Sequence, residues 1–182
     1  KRFNNCFKVH TEIVTDFYHD IIINMVEIHK TITDIYENNK DILEVFSCDD
    51  KFSDTQNFCD HYGFKIEDSC NAILLKSKKP TEFFALFCIL GSERLDVNHK
   101  AKSLLNARKV SFASKEEAEE ITNQTYGGIS PLGLPDEVQI YIDSNVMERE
   151  KVFIGGGNRV SKFFLDPSTL QKLTNGRVEN LT

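Results

Sequence analysis

The sequence has no tryptophan and no apolar run long enough to cross a lipid bilayer. The nearest approach, residues 21–26, is interrupted by Asn24 and is far shorter than the roughly 20 residues that a membrane-spanning helix needs. We therefore expect a soluble chain with no membrane partner. Of its 182 residues, 40% are hydrophobic and 14 are phenylalanine, which is enough apolar material for one ordinary folded domain. The chain opens with Lys1 rather than methionine and shows no charged-then-apolar leader, so we expect either a fragment or a processed form of a longer protein.

Paired cysteine motifs and metal-binding histidine patterns are also missing. The five cysteines are an odd number, scattered without a Cys-x-x-Cys spacing, in a chain large enough to fold without disulfides. We expect reduced thiols in a cytoplasmic protein. His19 and His29 lie ten positions apart on a predicted helix and would point in different directions. Neither a structural metal nor a cofactor is expected.

The charge distribution is uneven along the chain. A net charge of −6 argues against non-specific binding to nucleic acid. Residues 71–115 reverse this balance, with nine basic and three acidic side chains. A candidate phosphate-facing patch consists of Lys76, Lys78, Lys79, Lys100, Lys102, Arg108 and Lys109. A solvated surface explains the same residues equally well.

Residues 1–45 show helical periodicity. Their apolar positions recur every three or four residues: Ile13, Phe17, Ile21, Met25, Ile28, Ile32 and Ile35. This spacing predicts one or two amphipathic helices that end near Asn38 and Asn39. The segment would pack on the rest of the domain, contact a neighbouring domain or mediate dimerisation.

The remaining chain mixes strands and helices. Ser53 or Asp54 is expected to cap a helix that Gly63 closes, and Ser114 to cap another. Residues 70–76 and 83–90 flank a Lys-rich turn, which predicts a β-hairpin. Further strands are predicted at 42–46, 109–112, 138–142, 152–154 and 163–165, with helices from Asp96 and from Pro167. Because hairpins outnumber strand-helix-strand units, we predict an α+β fold with a mixed, largely antiparallel sheet.

One loop is the strongest local signal in the sequence: Tyr126-Gly127-Gly128-Ile129-Ser130-Pro131-Leu132-Gly133-Leu134. Two adjacent glycines before a proline fix an unusual, exposed backbone path. The loop closely resembles the Gly-Gly-Ile-Ser-Pro-type loop of the YbaK/EbsC family, whose members hydrolyse misacylated tRNA. Residues 108–113, 142–144 and 152–159 resemble the later signatures of that family in order and spacing. Asp54-Thr55, Gly63 and residues 70–75 resemble its opening half.

The resemblance implies a domain organisation and a set of partners. It covers residues 45–181, so we expect an editing domain at 45–182, with a YbaK-like partial barrel flanked by helices, and a helical extension at 1–44. The family occurs as free-standing enzymes, as an insertion in bacterial prolyl-tRNA synthetases and as an amino-terminal appendage on protozoan ones. This chain looks most like the malaria-parasite appendage. The expected partners are the 3′ acceptor end of a tRNA carrying a misattached amino acid and covalently linked synthetase domains.

The resemblance also indicates where the chemistry takes place. The family relies on the glycine loop rather than a Ser-His-Asp triad, with the terminal ribose hydroxyl of the tRNA activating water. The loop residues Gly127, Gly128, Ile129 and Ser130 are therefore expected to be catalytic, with their amides around the aminoacyl group and Pro131 holding the turn. The alternative interpretation of the loop is a rigid surface turn.

The sequence departs from the family pattern at one position. Asn71 stands where the family commonly carries a lysine, so the resemblance implies a catalytic role for Asn71, which can donate a hydrogen bond but supplies no charge. Lys76 is the nearest substitute, although five residues along a strand place it on the opposite face from Asn71. Asp143 matches an acidic family position, where it would orient the glycine loop or contact the terminal adenosine. It can equally be a turn or cap residue.

A second glycine-rich segment follows downstream. Gly155, Gly156 and Gly157 resemble a wall of the family's pocket, where missing side chains would leave space for the adenosine. Their context lacks the Gly-x-Gly-x-x-Gly spacing of a dinucleotide site. Ser161 lies just beyond and is expected to contact substrate.

These features together predict an aminoacyl-tRNA deacylase. Its expected substrate is mischarged tRNA for proline, with alanine first and cysteine next, a choice that depends on pocket volume because a methyl or thiol difference is worth only about 1 to 3 kcal/mol. The alternative is a catalytically weak module that docks the tRNA acceptor end or a protein. Asn71 and the acidic net charge favour that alternative.

Overall fold

A computed structural model of the chain describes residues 26–182, apart from the side chain of Lys79. The predicted helical positions before residue 26, among them Ile13, Phe17 and Ile21, lie outside the described residues. The helices are α1 (Thr33–Glu37), α2 (Thr55–Tyr62), α3 (Lys102–Leu104), α4 (Lys115–Thr122), α5 (Ser144–Met147) and α6 (Pro167–Thr174). The strands are β1 (Glu44–Ser47), β2 (Cys70–Lys79), β3 (Phe83–Leu90), β4 (Lys109–Phe112), β5 (Gln139–Asp143), β6 (Val152–Gly155), β7 (Ser161–Leu165) and β8 (Arg177–Glu179).

The larger sheet has five strands in the order β4-β2-β3-β5-β8. The predicted hairpin is confirmed, because β2 and β3 pair antiparallel from Cys70 opposite Leu90 to Ser77 opposite Phe83. β3 pairs parallel with β5, and β5 pairs parallel with β8. β3 is almost wholly apolar and buried along most of its length, as expected of a central strand covered on both faces.

The smaller sheet has three antiparallel strands in the order β1-β7-β6. An isolated bridge between Ser69 and Phe153 places the start of β2 beside β6. The two sheets and their flanking helices confirm the predicted α+β class with a mixed, largely antiparallel arrangement. None of the helices between residues 26 and 182 is long and apolar enough to cross a membrane.

The helix boundaries follow the local sequence signals. Asp54 caps α2 by accepting hydrogen bonds from the amides of Gln56 and Asn57, and Gly63 closes the helix with a φ of 77°. Ser114 forms a capping box with Glu117 at the start of α4. The helix predicted from Asp96 is shorter than expected: a π-helical turn, Val97–Ala101, leads into the single turn of α3.

Residues 26–44 pack directly on the sheets. Ile32, Tyr36 and Leu43 are buried in the main hydrophobic core. The side-chain amide of Asn158 also donates a hydrogen bond to the carbonyl oxygen of Glu27. Only α1 is helical in this segment, so apolar burial rather than helix length holds it in place.

A separate aromatic cluster fills the space between α2 and the smaller sheet. Most of its rings contact one another edge to face or at a tilt, and Phe58 stacks on Phe64. The members of the cluster are Phe46, Phe58, Tyr62, Phe64, Phe153 and Phe164. Because the rings fill this space, the start of α2 is fixed against β6 and β7. The candidate site lies at this junction.

Candidate active site

A cleft of about 520 Å³ opens where the start of β2, the glycine loop and the ends of β6 and β7 meet. This volume is within the range of small-ligand sites, which run from about 300 to 1,000 Å³. The lining residues come from four chain segments: Asp54 and Thr55; residues 69–73; residues 126–129; and residues 153–155 with Arg159 and Lys162. The cleft therefore brings together parts of four segments that the sequence singled out: Asp54-Thr55, residues 70–75, the glycine loop and residues 152–159.

Asn71 lies in the wall of the cleft. Its side-chain oxygen accepts hydrogen bonds from the hydroxyls of Thr55, at 2.9 Å, and Ser69, at 2.8 Å. Its Nδ2 group has no partner within residues 26–182, which leaves two N–H donors for a ligand. Position 71 is thus preorganised as a neutral donor.

One buried side chain, Gln124, fixes the glycine loop through hydrogen bonds to its main chain. Its Oε1 accepts from the amide of Ser130 at 2.7 Å, and its Nε2 donates to the carbonyl oxygen of Leu132 at 2.8 Å. Gly127 takes a φ of 84°, which favours glycine. At Gly128 an added Cβ would overlap the main-chain carbonyl of Asn158, so the two segments touch backbone to backbone.

The amide cradle expected from the sequence needs correction. The amide of Gly128 donates to the carbonyl oxygen of Thr125, and that of Ser130 to Gln124, so neither is available to a substrate. Ser130 is also completely buried and does not line the cleft. Among the described residues, the amides of Gly127 and Ile129 have no partner, and both residues line the cleft. The loop can thus present two main-chain donors, one on each side of Gly128.

The second glycine segment packs more tightly than expected. An added Cβ on Gly155 would lie 2.6 Å from the carbonyl oxygen of Gly128, so the glycine loop itself occupies that space. Gly156 lies against Ser161, and Gly157 against His29 and Ile32. Only Gly155 of the three lines the cleft. These glycines permit close backbone packing, which corrects the expectation of open space for an adenosine.

Two further predicted residues, Lys76 and Asp143, lie outside the cleft. Lys76 forms ion pairs with Glu82 and Glu117, at 2.9 and 2.8 Å, outside the cleft. Asp143 is fully buried and accepts hydrogen bonds from the amides of Asn145 and Leu181, so it is a structural cap.

Two more predicted positions also lie outside the cleft. Ser161 is buried and donates to Asn158 Oδ1 at 2.7 Å. Pro131 lines a second groove, of about 600 Å³, between residues 131–140 and the end of α6. That groove lacks the glycine pair and Asn71, so its larger volume does not make it the better candidate.

Lys162 is a cleft residue that the sequence interpretation passed over. It is only 6% exposed, and its ammonium group donates to the main-chain oxygen of Ser53 at 2.9 Å and lies 5.5 Å from the ring centre of Phe58. Burial lowers the pKa of this ammonium group from its ordinary value. Its position in the strand could have revealed it, because Lys162 is two residues before Phe164 and therefore lies on the same face of β7 as that aromatic ring.

The mouth of the cleft carries an aromatic and a cationic side chain. Tyr126 is 49% exposed, and its amide is fixed by Glu119 Oε1 at 3.0 Å. Arg159 lies against Gly127 and pairs with Asp50. Both line the cleft, so an incoming ligand meets a ring face and a guanidinium group at its entrance.

The cleft has few side chains that could act as a general base or a nucleophile. No histidine from the described part of the chain lines it, and Asp54, its only lining carboxylate, caps α2. Cys70 lines the cleft, but a hydrogen bond with Cys88 and burial raise the pKa of its thiol well above the ordinary value. No cluster of His, Cys, Asp or Glu between residues 26 and 182 could hold a metal ion. The arrangement therefore offers hydrogen-bond donors and positive charge rather than a protein base.

Residues 50–173 match the family model described as "Aminoacyl-tRNA editing domain". One curated relative, a candidate Cys-tRNA(Pro)/Cys-tRNA(Cys) deacylase named EbsC from Enterococcus faecalis, is 28% identical over 94 residues, 52% of this chain and 57% of the relative. Another, a proline–tRNA ligase from Bacillus licheniformis, is 29% identical over 121 residues, which are 66% of this chain and 20% of the ligase. The chain thus spans only part of the length of either relative.

A solved structure described as a candidate trans-editing enzyme for prolyl-tRNA synthetase superposes with a TM-score of 0.72 at 21% identity. The match covers 86% of this chain and 99% of that structure. A structure described as a hypothetical protein gives a TM-score of 0.74 at 19% identity, covering 84% of this chain. At these identities the superpositions establish a common fold.

Proposed function

We propose that this chain hydrolyses the ester bond between a tRNA and a wrongly attached amino acid, because the chain belongs to the family of aminoacyl-tRNA editing domains. The observation that carries the proposal is the cleft, because Asn71, Gly127 and Ile129 all line it and each has an N–H group with no partner among the described residues. Donors of this kind stabilise the negative charge that develops on a carbonyl oxygen when water attacks an ester.

The reaction needs a water molecule to lose a proton as it attacks. The oxygen of that water bonds to the ester carbonyl carbon, the bond from that carbon to the ribose oxygen breaks, and the departing ribose oxygen takes up a proton. Because Asp54 is occupied as a helix cap and no histidine of the described chain lines the cleft, the protein offers no evident general base. A ribose hydroxyl next to the ester is the group left to orient the water.

The acceptor-end substrate fits the groups at the mouth of the cleft. The exposed ring of Tyr126 offers a surface on which a terminal base can stack, and aromatic stacking contributes about 1 to 3 kcal/mol per base. Arg159 places a positive charge on the same side, where a backbone phosphate would lie. The esterified amino acid would then extend inward towards Ile129.

The proposed substrate is tRNA for proline charged with alanine first and with cysteine next. The names of both relatives and of the solved structure refer to tRNA for proline or to its synthetase, which supports the choice of tRNA. The name of EbsC keeps cysteine as the direct competitor of alanine. We further propose that the domain works in the cytoplasm, joined to synthetase domains as an amino-terminal appendage. The Bacillus ligase supports such a link, since its matching part is a fifth of a synthetase.

A second candidate function is a catalytically weak docking module for the acceptor end or a protein. The uncharged Asn71 and the net charge of −6 favour it. The two candidates differ in turnover. A docking module binds charged tRNA and releases no amino acid beyond the rate in buffer, whereas an editing enzyme releases many equivalents.

The test is a panel of radiolabelled aminoacyl-tRNAs in excess over the protein, with Ala-tRNA(Pro), Cys-tRNA(Pro) and Pro-tRNA(Pro) compared side by side. We expect repeated turnover of one mischarged species and sparing of Pro-tRNA(Pro). Filter binding on the same samples measures affinity. Retention of tRNA on the filter without amino-acid release would leave the docking module as the function.

A further inference from the structure

We propose that the Lys162 ammonium group contacts the ester end of the substrate and supplies the positive charge that position 71 lacks. This inference rests on the deacylase function proposed above and names an additional catalytic residue within it. It requires that the ammonium group lie on the same side of the sheet as the glycine loop and that it have N–H donors without partners. It also requires that burying the ammonium group does not stabilise the folded protein.

The strand register places Lys162 on the correct face. Lys162 and Gly155 are direct partners in the antiparallel ladder between β7 and β6, so their side-chain positions project from the same face of the sheet. At Gly155 that direction leads straight to the carbonyl oxygens of Gly128 and Ile129. The Lys162 side chain therefore leaves the sheet on the side occupied by the glycine loop.

The ammonium group has unused hydrogen-bonding capacity. It carries three N–H donors, and its one hydrogen-bond partner within residues 26–182 is the main-chain oxygen of Ser53. The hydroxyl of Ser53 is itself buried without a partner among those residues. Buried polar groups normally have hydrogen-bond partners. N–H donors without a partner beside a cleft therefore indicate that a ligand with acceptor oxygens binds there.

Burial of Lys162 is costly for the folded protein. The residue is 6% exposed, and no carboxylate of the described chain forms an ion pair with it. Removing an ammonium group from water without a paired charge is strongly unfavourable, and apolar replacements at such sites are often neutral or stabilising. A residue that weakens the fold while lining the cleft is typical of a functional group.

The low polarity around Lys162 also strengthens its action. An ammonium group beside the ring of Phe58, shielded from water, interacts more strongly with a developing negative charge than one in solvent does. As the ester carbonyl becomes tetrahedral, Lys162 and the amide of Ile129 would donate to its oxygen together.

The first test is Lys162→Met, which keeps the unbranched side chain and removes the charge. We expect kcat for release of the preferred amino acid to fall by about 100-fold or more, as for loss of an oxyanion donor, with a smaller change in KM. The melting temperature should stay the same or rise. The matched control, Lys172→Met on the exposed face of α6, should leave both quantities unchanged.

The second test moves the charge across the cleft. Adding Asn71→Lys to Lys162→Met should restore at least a tenth of the wild-type kcat if the cleft needs one cation rather than this particular side chain. Wild-type turnover is measured first, so an inactive wild type would refute the deacylase function rather than the role of Lys162. An active wild type with an equally active Lys162→Met variant would overturn the inference, as would a loss of activity accompanied by a lower melting temperature and no rescue by lysine at position 71.

Discussion

The side chain of Gln124 accepts a hydrogen bond from the main-chain amide of Ser130 at 2.7 Å, and both residues are buried. This bond ties the glycine loop to the end of α4 and takes the place of the contact that the Ser130 amide was expected to make with substrate. The loop is therefore rigid because of the protein beneath it. Its exposed donors are then held in position before a substrate arrives.

Replacing Gln124 by leucine should destabilise the fold and the site together. Gln124→Leu leaves the Ser130 amide and the Leu132 carbonyl buried without partners, at about 1 to 3 kcal/mol for each. We expect a loss of roughly 3 kcal/mol in urea denaturation, and deacylation reduced at temperatures where the variant is still folded. Gln171→Leu on α6 is the control, because its side-chain amide bonds to no described residue. Equal stability of the two variants would refute this account of the loop.

Substituting Gly128 by alanine should damage the structure as well as the activity. The added methyl group overlaps the main-chain carbonyl of Asn158, which cannot rotate away as a side chain would. We expect a loss of about 1 to 3 kcal/mol in stability from overpacking. Gly63→Ala is the comparison, since it has open space around the new Cβ and only the cost of its φ of 77°. A fully stable Gly128→Ala protein would contradict the backbone contact.

Asp143 should matter for folding and not for turnover. Its two carboxylate oxygens each accept from a main-chain amide, of Asn145 and of Leu181, and asparagine can replace only one of these acceptors. Asp143→Asn should lower the free energy of unfolding by about 1 to 3 kcal/mol and change kcat/KM by less than about threefold. A large fall in kcat/KM at unchanged stability would instead place Asp143 at the substrate.

Asp166 should contribute a pH-dependent part of the stability. Hydrogen bonds from Ser168 and Thr169 lower the pKa of its carboxyl from 3.8 to about 2. Because the folded pKa is below the unfolded value, the stabilisation is complete above pH 3.8 and is lost as the pH falls towards 2. Asp166→Asn should cost about 1 kcal/mol near pH 7 for loss of the helix cap, and wild type and variant should converge below pH 2 in thermal melts. A difference that stays constant with pH would refute this assignment.

Tyr126 should affect substrate binding through its ring. Tyr126→Ala should raise KM for charged tRNA by roughly 5- to 100-fold, corresponding to one lost stacking contact, and leave kcat nearly unchanged. Tyr126→Phe keeps the ring and should behave like the wild type. If the phenylalanine variant were as weak as the alanine variant, the hydroxyl would be the contact and stacking would be excluded.

Local signals in the sequence predicted much of the fold. Asp54, Gly63 and Ser114 marked helix ends correctly because caps and left-handed closures depend on a few neighbouring residues. The hairpin of β2 and β3 followed from two apolar runs around a Lys-rich turn. β8 was missed, since Arg177–Glu179 is short and polar and is a strand only because β5 lies beside it.

The candidate site was predictable in part. The glycine pair and Asn71 were identified from motifs, and they do line one cleft. Lys162 was not, because its burial depends on a contact with Ser53, 109 residues away in sequence. The bond between Gln124 and the Ser130 amide spans only six residues, but it depends on the folded path of the glycine loop around a buried glutamine, which no residue pattern shows.

The most direct test of the central claim is a crystal structure with a non-hydrolysable analogue, alanine joined by an amide to the 3′ position of adenosine. We predict that its alanyl carbonyl lies within hydrogen-bonding distance of the Ile129 amide and its adenine against Tyr126. An analogue bound instead in the groove at Pro131, or excluded from the cleft at saturating concentration, would contradict the account.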